Sequence, residues 1–260
     1  MIKKPNILVI MSDEHDPSVS GCYGDSVVRT PNLDKLAAGG VTFDACYTTS
    51  PLCVPARLSF TAGKYVSHCG AWSNDCWLPS ADYPSLPRMM NAAGYESILG
   101  GKMHYDRTRR YGFTDIINDP DDENWYHKTG QYERRDAAST EMNERSWNAR
   151  ICNFYVDENS PVMRKDERRT RTACEFLSQR SADDKPFFYL LGYIAPHFPL
   201  IAPQAFYDLV KDKVPEPHLP EGWFENLPTN YKQLTYGFGI DALDRETAKK
   251  GRELYWALAS

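Results

Sequence analysis

The chain has 260 residues, 42% of them hydrophobic and 25% charged, and a formal net charge of −5. That is enough chain for one large domain with a sizeable core. An acidic balance with a pI near 5.7 argues against nucleic acid or an anionic membrane as the main partner, while leaving room for a local positive pocket that holds a small anion. The seven cysteines (Cys22, Cys46, Cys53, Cys69, Cys76, Cys152 and Cys174) are odd in number and form no C-x-x-C pair. Neither a disulfide framework nor a structural zinc site is expected from them.

Ile7 to Met11 is a short continuous apolar run, the pattern of a strand buried on both faces of a parallel sheet. It is too short to cross a membrane and lacks a signal-peptide cleavage pattern. A cytoplasmic location is expected, or a periplasmic one if a leader has been removed. The run ends in Ser12-Asp13-Glu14-His15-Asp16. Ligands bind at the carboxyl ends of strands in open α/β sheets, and carboxylates there suit a hard divalent cation. A solvated, capped turn is the plainer alternative.

Thr30 to Ala37 reads as a helix with a threonine cap and Pro31 at its first position, closed by Gly39-Gly40. Val41 to Tyr47 is strand-like and delivers the chain to Ser50 to Lys64, SPLCVPARLSFTAGK. Here Cys53, Pro55 and Arg57 fall within five positions. Pro55 suits a first helical turn, and Gly63 a stop. Cys53 is thus expected just ahead of a helix N-terminus, where unpaired backbone donors favour anions and activate a thiol. Arg57, one turn along, adds a forked cation for an oxyanion. A buried structural cysteine beside a surface arginine is the bland alternative.

Ser85 to Ala93 reads as a helix stopped by Gly94, and Tyr95 to Leu99 as a strand. It runs into Gly100-Gly101-Lys102-Met103-His104, where extended geometry puts Lys102 and His104 on one side. Arg107 to Pro161 is polar, aromatic-rich and irregular, the pattern of a long insertion that shapes a pocket. Asp166 to Arg180 is a basic amphipathic helix with Ala173, Phe176 and Leu177 on its apolar side. Phe187 to Ile194 is the clearest central strand, and it exits into Ala195-Pro196-His197-Phe198-Pro199. Proline-rich loops surround a helix at Gln204 to Lys211, and Arg245 to Ser260 forms a last helix.

The strand–helix alternation predicts an α/β fold with a mainly parallel sheet flanked by helices. Asp13/Glu14, Lys102/His104 and His197 all follow expected strands, and Cys53 enters a helix. Acids, cations and a nucleophile position on one sheet edge point to metal-assisted transfer of an anionic group. Only three residues separate Cys53 from Arg57, too few for the phosphate cradle of a cysteine phosphatase. The P-loop, dinucleotide-binding, nucleophile-elbow and H-E-x-x-H motifs are all missing.

Cys53-Val54-Pro55-Ala56-Arg57 resembles the C-x-P-x-R motif of formylglycine-dependent sulfatases in the alkaline-phosphatase superfamily. KPNILVIMSDEHD, GCYGDSVVRTPNLDKLAAGGVTFDACYTTSPLC, GYESILGGKMHY with the later YGF, and GYIAPHFPL are similar to the same family and follow its order. The likeness is closer to choline-sulfatase-like and polysaccharide-sulfatase-like members. It implies an alkaline-phosphatase-like fold and hydrolysis of a small-molecule or carbohydrate sulfate ester. It also implies that a maturation enzyme converts Cys53 to formylglycine, whose hydrate attacks sulfur and then expels sulfate. Asp13, Glu14 and the Cys53-derived diol would then hold a divalent metal, calcium first and magnesium second. Arg57 would stabilise the formylglycine, Lys102 bridge it to the sulfate and His104 contact the diol. His197 would contact the sulfate or protonate the leaving oxygen.

Two departures from the family stand out. Glu14 replaces the second aspartate that many sulfatases carry after the first strand. Nothing after His197 matches the family's downstream Asp-Asn or Asp-His ligand pair and its further lysine. The expectation is the N-terminal part of one catalytic domain, with the remaining ligands beyond residue 260 and an incomplete metal site within it. The alternatives are a phosphonate or phosphate ester hydrolase of the same superfamily, or an inactive fragment acting at most as a binding module.

Overall fold

A computed structural model describes residues 4–104, 109–115, 154–217, 219–237 and 243–260. Most of the insertion expected at Arg107 to Pro161 lies outside them, as does Cys152. In chain order the strands are β1 (Ile7–Met11), β2 (Glu96–Gly101), β3 (Thr114–Asp115), β4 (Tyr155–Val156), β5 (Phe187–Gly192) and β6 (Ile201–Ala202). The helices are α1 (Pro31–Gly39), α2 (Cys53–Ala62), α3 (Val66–Cys69), α4 (Leu86–Ala92), α5 (Pro161–Ser178), α6 (Gln204–Val210), α7 (Thr229–Gly237) and α8 (Arg245–Ala259). The described residues group into two compact units. The first draws on Met1–Asp13, Phe43–Glu133 and Lys165–Ile194, the second on Glu14–Thr42, Arg134–Arg164 and Ala195–Ser260.

The first unit is built on a parallel sheet in the order β1-β5-β2-β3. Every residue of β5 is buried, which is what an unbroken run of Phe, Tyr and Leu demands. Its alternate side chains feed two cores. Phe188 and Leu190 pack with Leu99, Val54, Leu58, Met103 and Phe113. Phe187, Tyr189 and Leu191 pack with Ile98 and with Ala173, Phe176 and Leu177 of α5. The apolar side expected for that helix is the one it buries.

Two expectations fail in this unit. β1 was to be buried on both faces, yet Leu8 and Ile10 are 41% and 54% exposed. Among the described residues β1 pairs with β5 alone, so the strand stands at the sheet edge. An apolar run reports that a strand can be buried, not that a neighbour covers it. Val41 to Tyr47 forms no strand; Val41, Phe43 and Tyr47 are exposed. Alternation alone cannot make a strand without a ladder partner.

The second unit packs Val19, Val28, Ala202, Val210 and Leu254 into one core, with β4 and β6 paired in parallel. Thr30 precedes α1 as expected but makes no cap bond. Its hydroxyl donates to Asp34 Oδ1 at 3.0 Å and accepts the Gly21 N–H at 2.8 Å. α7 was missed because four prolines between residues 215 and 228 read as loop throughout. α8 buries Leu254, Ala257 and Leu258 together with Glu253. Burying that carboxylate is tolerable because it is bonded: it accepts the Tyr207 hydroxyl at 2.7 Å and the Asp212 N–H at 2.9 Å. Tyr255 accepts the Asp16 N–H at 2.8 Å and donates to the Glu14 carbonyl.

Both phenols hold their protons tightly. Burial, then the Glu253 carboxylate, pushes Tyr207 up to about 12. Burial does the same for Tyr255, aided by the Asp16 and Glu14 charges and against the Asp16 N–H, again to about 12. An acid whose folded pKa is raised stabilises the fold fully below its unfolded value, about 10 for tyrosine. That stabilisation is lost as pH rises towards 12. Absorbance titration of phenolate is expected to show Tyr207 and Tyr255 ionising late, with Tyr207→Phe and Tyr255→Phe each removing one late step.

Candidate active site

The site begins with the helix that carries Cys53. Leu52 is extended (φ −123, ψ 142) and Ala56 donates to its carbonyl at 2.9 Å, so α2 starts at Cys53. Pro55 falls in the first turn, where its missing N–H is no loss. Gly63, left-handed at φ 61, closes the helix as expected. Cys53 is the first helical residue rather than the one before it. The Val54 N–H is taken by Asn74 Oδ1 at 3.1 Å, a partner that no sequence signal announced.

Three charges meet behind that helix end. Asp13, two residues past β1, is 6% exposed; Arg57 is 4% and Lys102 6% exposed. Arg57 Nη2 lies 3.0 Å from Asp13 Oδ2, and the Lys102 ammonium pairs with the same oxygen. Asp13 Oδ1 faces the Cys53 sulfur at 3.7 Å. Arg57 Nη1 donates to the Lys102 carbonyl at 2.7 Å and contacts the Met11 and Met103 sulfurs at 3.5 and 3.7 Å. Asp13 thus holds two cations in a buried place, where charges act strongly on an anion that reaches them.

The backbone at the end of β2 directs Lys102. Gly101 sits at φ +81, and a side-chain carbon there would lie 2.2 Å from the Gly192 carbonyl oxygen. Glycine is required both by conformation and by space. The Lys102 N–H then donates to that carbonyl at 2.8 Å. His104 adopts φ 61, so the extended alternation that would have paired it with Lys102 does not hold. His104 is half-buried.

Glu14 and His197 belong to the second unit, where they meet. His197 Nε2 is 3.3 Å from Glu14 Oε1. His197 Nδ1 lies 2.6 Å from the Phe198 carbonyl. A carbonyl only accepts, so Nδ1 carries a proton in that bond, and the Glu14 carboxylate, which also only accepts, calls for a second one on Nε2. The ring also packs on Phe198 with centroids 4.1 Å apart. His197 is 5% exposed, held between two cis X-Pro bonds, Ala195-Pro196 and Phe198-Pro199. Glu14 takes φ 59, a conformation uncommon outside glycine and asparagine.

The donor chemistry separates the candidate metal ligands. Asp13 and Glu14 offer carboxylate oxygens, which fit a hard divalent cation. Cys53 offers sulfur, which suits softer metals, and fits calcium or magnesium only once oxygen replaces it.

Removing Asp13 would leave two buried cations facing each other. Asp13→Asn is expected to lower the unfolding free energy by about 3–5 kcal/mol, read from urea unfolding. A loss below about 1 kcal/mol would mean that the two cations are solvated without it.

Comparison with known proteins agrees with this geometry. Residues 5–235 match the family model described as Sulfatase. The uncharacterized sulfatase YidJ of Escherichia coli is 27% identical over 81% of this chain and 42% of its own length. A structure of an enzyme with its substrate D-glucosamine-2-N,6-O-disulfate superposes with a TM-score of 0.62 at 20% identity, over 98% of this chain and 58% of that one. Phosphonate monoester hydrolase of Agrobacterium radiobacter gives 0.67 at 16% identity, over 98% and 56%. The fold is therefore alkaline-phosphatase-like, and the chain spans about half the length of these proteins. With the match extending over most of its residues, the chain belongs to the sulfatase family.

Proposed function

We propose that this chain carries the nucleophile half of a sulfuric ester hydrolase. The observation that carries the reading is the buried Asp13–Arg57–Lys102 cluster beside Cys53 at the start of α2. Hydrolysis of a sulfate monoester needs an oxygen nucleophile and compensation for charge on three sulfate oxygens. Lys102 and Arg57 supply the compensation from a buried place, where such charges act most strongly. Asp13 keeps both cations oriented.

Cys53 as a thiol is a poor match for this chemistry, and its conversion to formylglycine by a maturation enzyme removes the mismatch. The hydrate of that aldehyde supplies an oxygen for attack and a second hydroxyl to release sulfate. Asp13 and Glu14 would hold a divalent cation, calcium before magnesium, which when bound neutralises sulfate charge. His104 is assigned to the hydrate. His197, with Nδ1–H on the Phe198 carbonyl, presents Nε2 to the sulfate or, with both ring nitrogens protonated, gives the Nε2 proton to the leaving oxygen. The substrate class is a sulfate ester of a small molecule or carbohydrate. The glucosamine disulfate bound by the related structure favours a sulfated sugar.

Intact mass spectrometry tests the conversion: thiol to aldehyde exchanges H₂S for O, a loss of roughly 18 Da. The converted full-length protein is expected to release sulfate from an aryl or sugar sulfate, and Cys53→Ala to lose turnover while keeping its fold. Failure of the converted full-length protein to release sulfate would sink the reading. Faster cleavage of phosphonate esters than of sulfate esters would redirect it to the phosphonate hydrolases.

His197→Ala is expected to slow poor leaving groups by roughly 10²–10⁴-fold and good ones far less, as loss of a general acid does. The comparison is a series of aryl sulfates of graded phenol acidity. Equal losses across the series would assign His197 to sulfate binding instead.

A further inference from the structure

α5 carries a buried ion pair that the chemistry above leaves unused. Arg169 is 1% exposed and Asp166 9%, and Arg169 Nη1 meets Asp166 Oδ1 at 3.0 Å. The Asp166 carboxylate also takes the Ile194 N–H, at 2.9 Å from each oxygen. Ile194 lies two residues past β5, so Asp166 grips the exit of that strand. Arg169 lies against the exit of β2. A side-chain carbon added to Gly101 would come 2.8 Å from Arg169 Cδ and 3.1 Å from Nε.

Those two exits are joined to each other and to the site. Gly101 and Gly192 are register partners. A side-chain carbon on Gly192 would fall 1.9 Å from the Lys102 carbonyl oxygen, which shows how closely the two exits pass. The Lys102 N–H is bonded to Gly192, and its carbonyl is held by Arg57. The pair on α5 thus backs the peptide units that aim Lys102 at Asp13.

Stability alone is a weak reason for such a pair, because apolar groups of similar volume often do as well. Its hydrogen bond to a strand-exit amide gives a better one, since an apolar replacement cannot make it. We propose that Asp166 and Arg169 are positioning residues: together they clamp the β2 and β5 exits so that Lys102 stays fixed against Asp13. The role of Lys102 in sulfate binding rests on the reading above, whereas the clamp is testable without turnover.

The experiment is amide hydrogen exchange on the 260-residue chain, comparing wild type with the Asp166→Leu/Arg169→Met double variant, which removes both buried charges and the acceptor of the Ile194 N–H together. The Lys102 and Ile194 amides are expected to exchange at least about ten-fold faster, while Ile98 and Leu190 in the same sheet stay within about two-fold. Arg169→Lys keeps a cation for Asp166 but loses the fork. It is expected to loosen Lys102 while Ile194 stays protected, and it decides the matter if the double variant does not fold. Unchanged exchange at Lys102 would overturn the clamp, and so would a uniform rise at all four amides, which marks general loosening. Sulfate release by the converted full-length protein is followed separately. If it releases none, the sulfatase reading fails while the exchange pattern still decides the clamp.

Discussion

One buried carboxylate governs the first unit. Asp13 must be charged to hold Arg57 and Lys102, and a charge out of water is tolerable only when it is paired and hydrogen-bonded. Its partners come from α2 and from the exit of β2. Three segments far apart in sequence are therefore locked to a common point. Each must arrive with its backbone already set. β1 delivers Asp13 from the sheet edge, Pro55 and Leu52 fix where α2 begins, and Gly101 turns the chain so that Lys102 leaves β2 in the right direction.

The same cluster sets the surroundings of Cys53. Arg57 and Lys102 both pair with Asp13 Oδ2, and the other oxygen of that carboxylate faces the Cys53 sulfur. One carboxylate thus ties position 53 to both cations.

Much of the fold was legible because its signals are local. The apolar run of β5, the Ser85 cap that accepts from Arg88 N–H at the start of α4, and the glycine stop of α2 each act within a few residues. The candidate residues were legible for a related reason: each follows a strand or opens a helix, where side chains project beyond the sheet. What stayed hidden depends on partners distant in sequence. The exposure of Leu8 and Ile10, the lack of a ladder for Val41 to Tyr47 and the hold of Asn74 on α2 are tertiary facts with no local trace. The extended backbone assumed for Lys102 to His104 does not hold either, since one left-handed residue is enough to break the alternation.

Asp166 and Arg169 lie between these cases. The sequence shows them only as members of a basic amphipathic helix. Yet residues 166, 169, 173 and 176 recur at helical spacing, which puts the charged pair on the stripe that Ala173 and Phe176 bury. A charge pair on a buried stripe cannot be solvated, so it must be satisfied by something the helix packs against. Here that is the Ile194 amide at the exit of β5 and the glycine-lined exit of β2 beside it. The periodicity that marks a helix face as apolar therefore also marks which of its charges are constrained. A constrained charge next to strand exits is a stronger pointer to a working site than the many exposed ones around it.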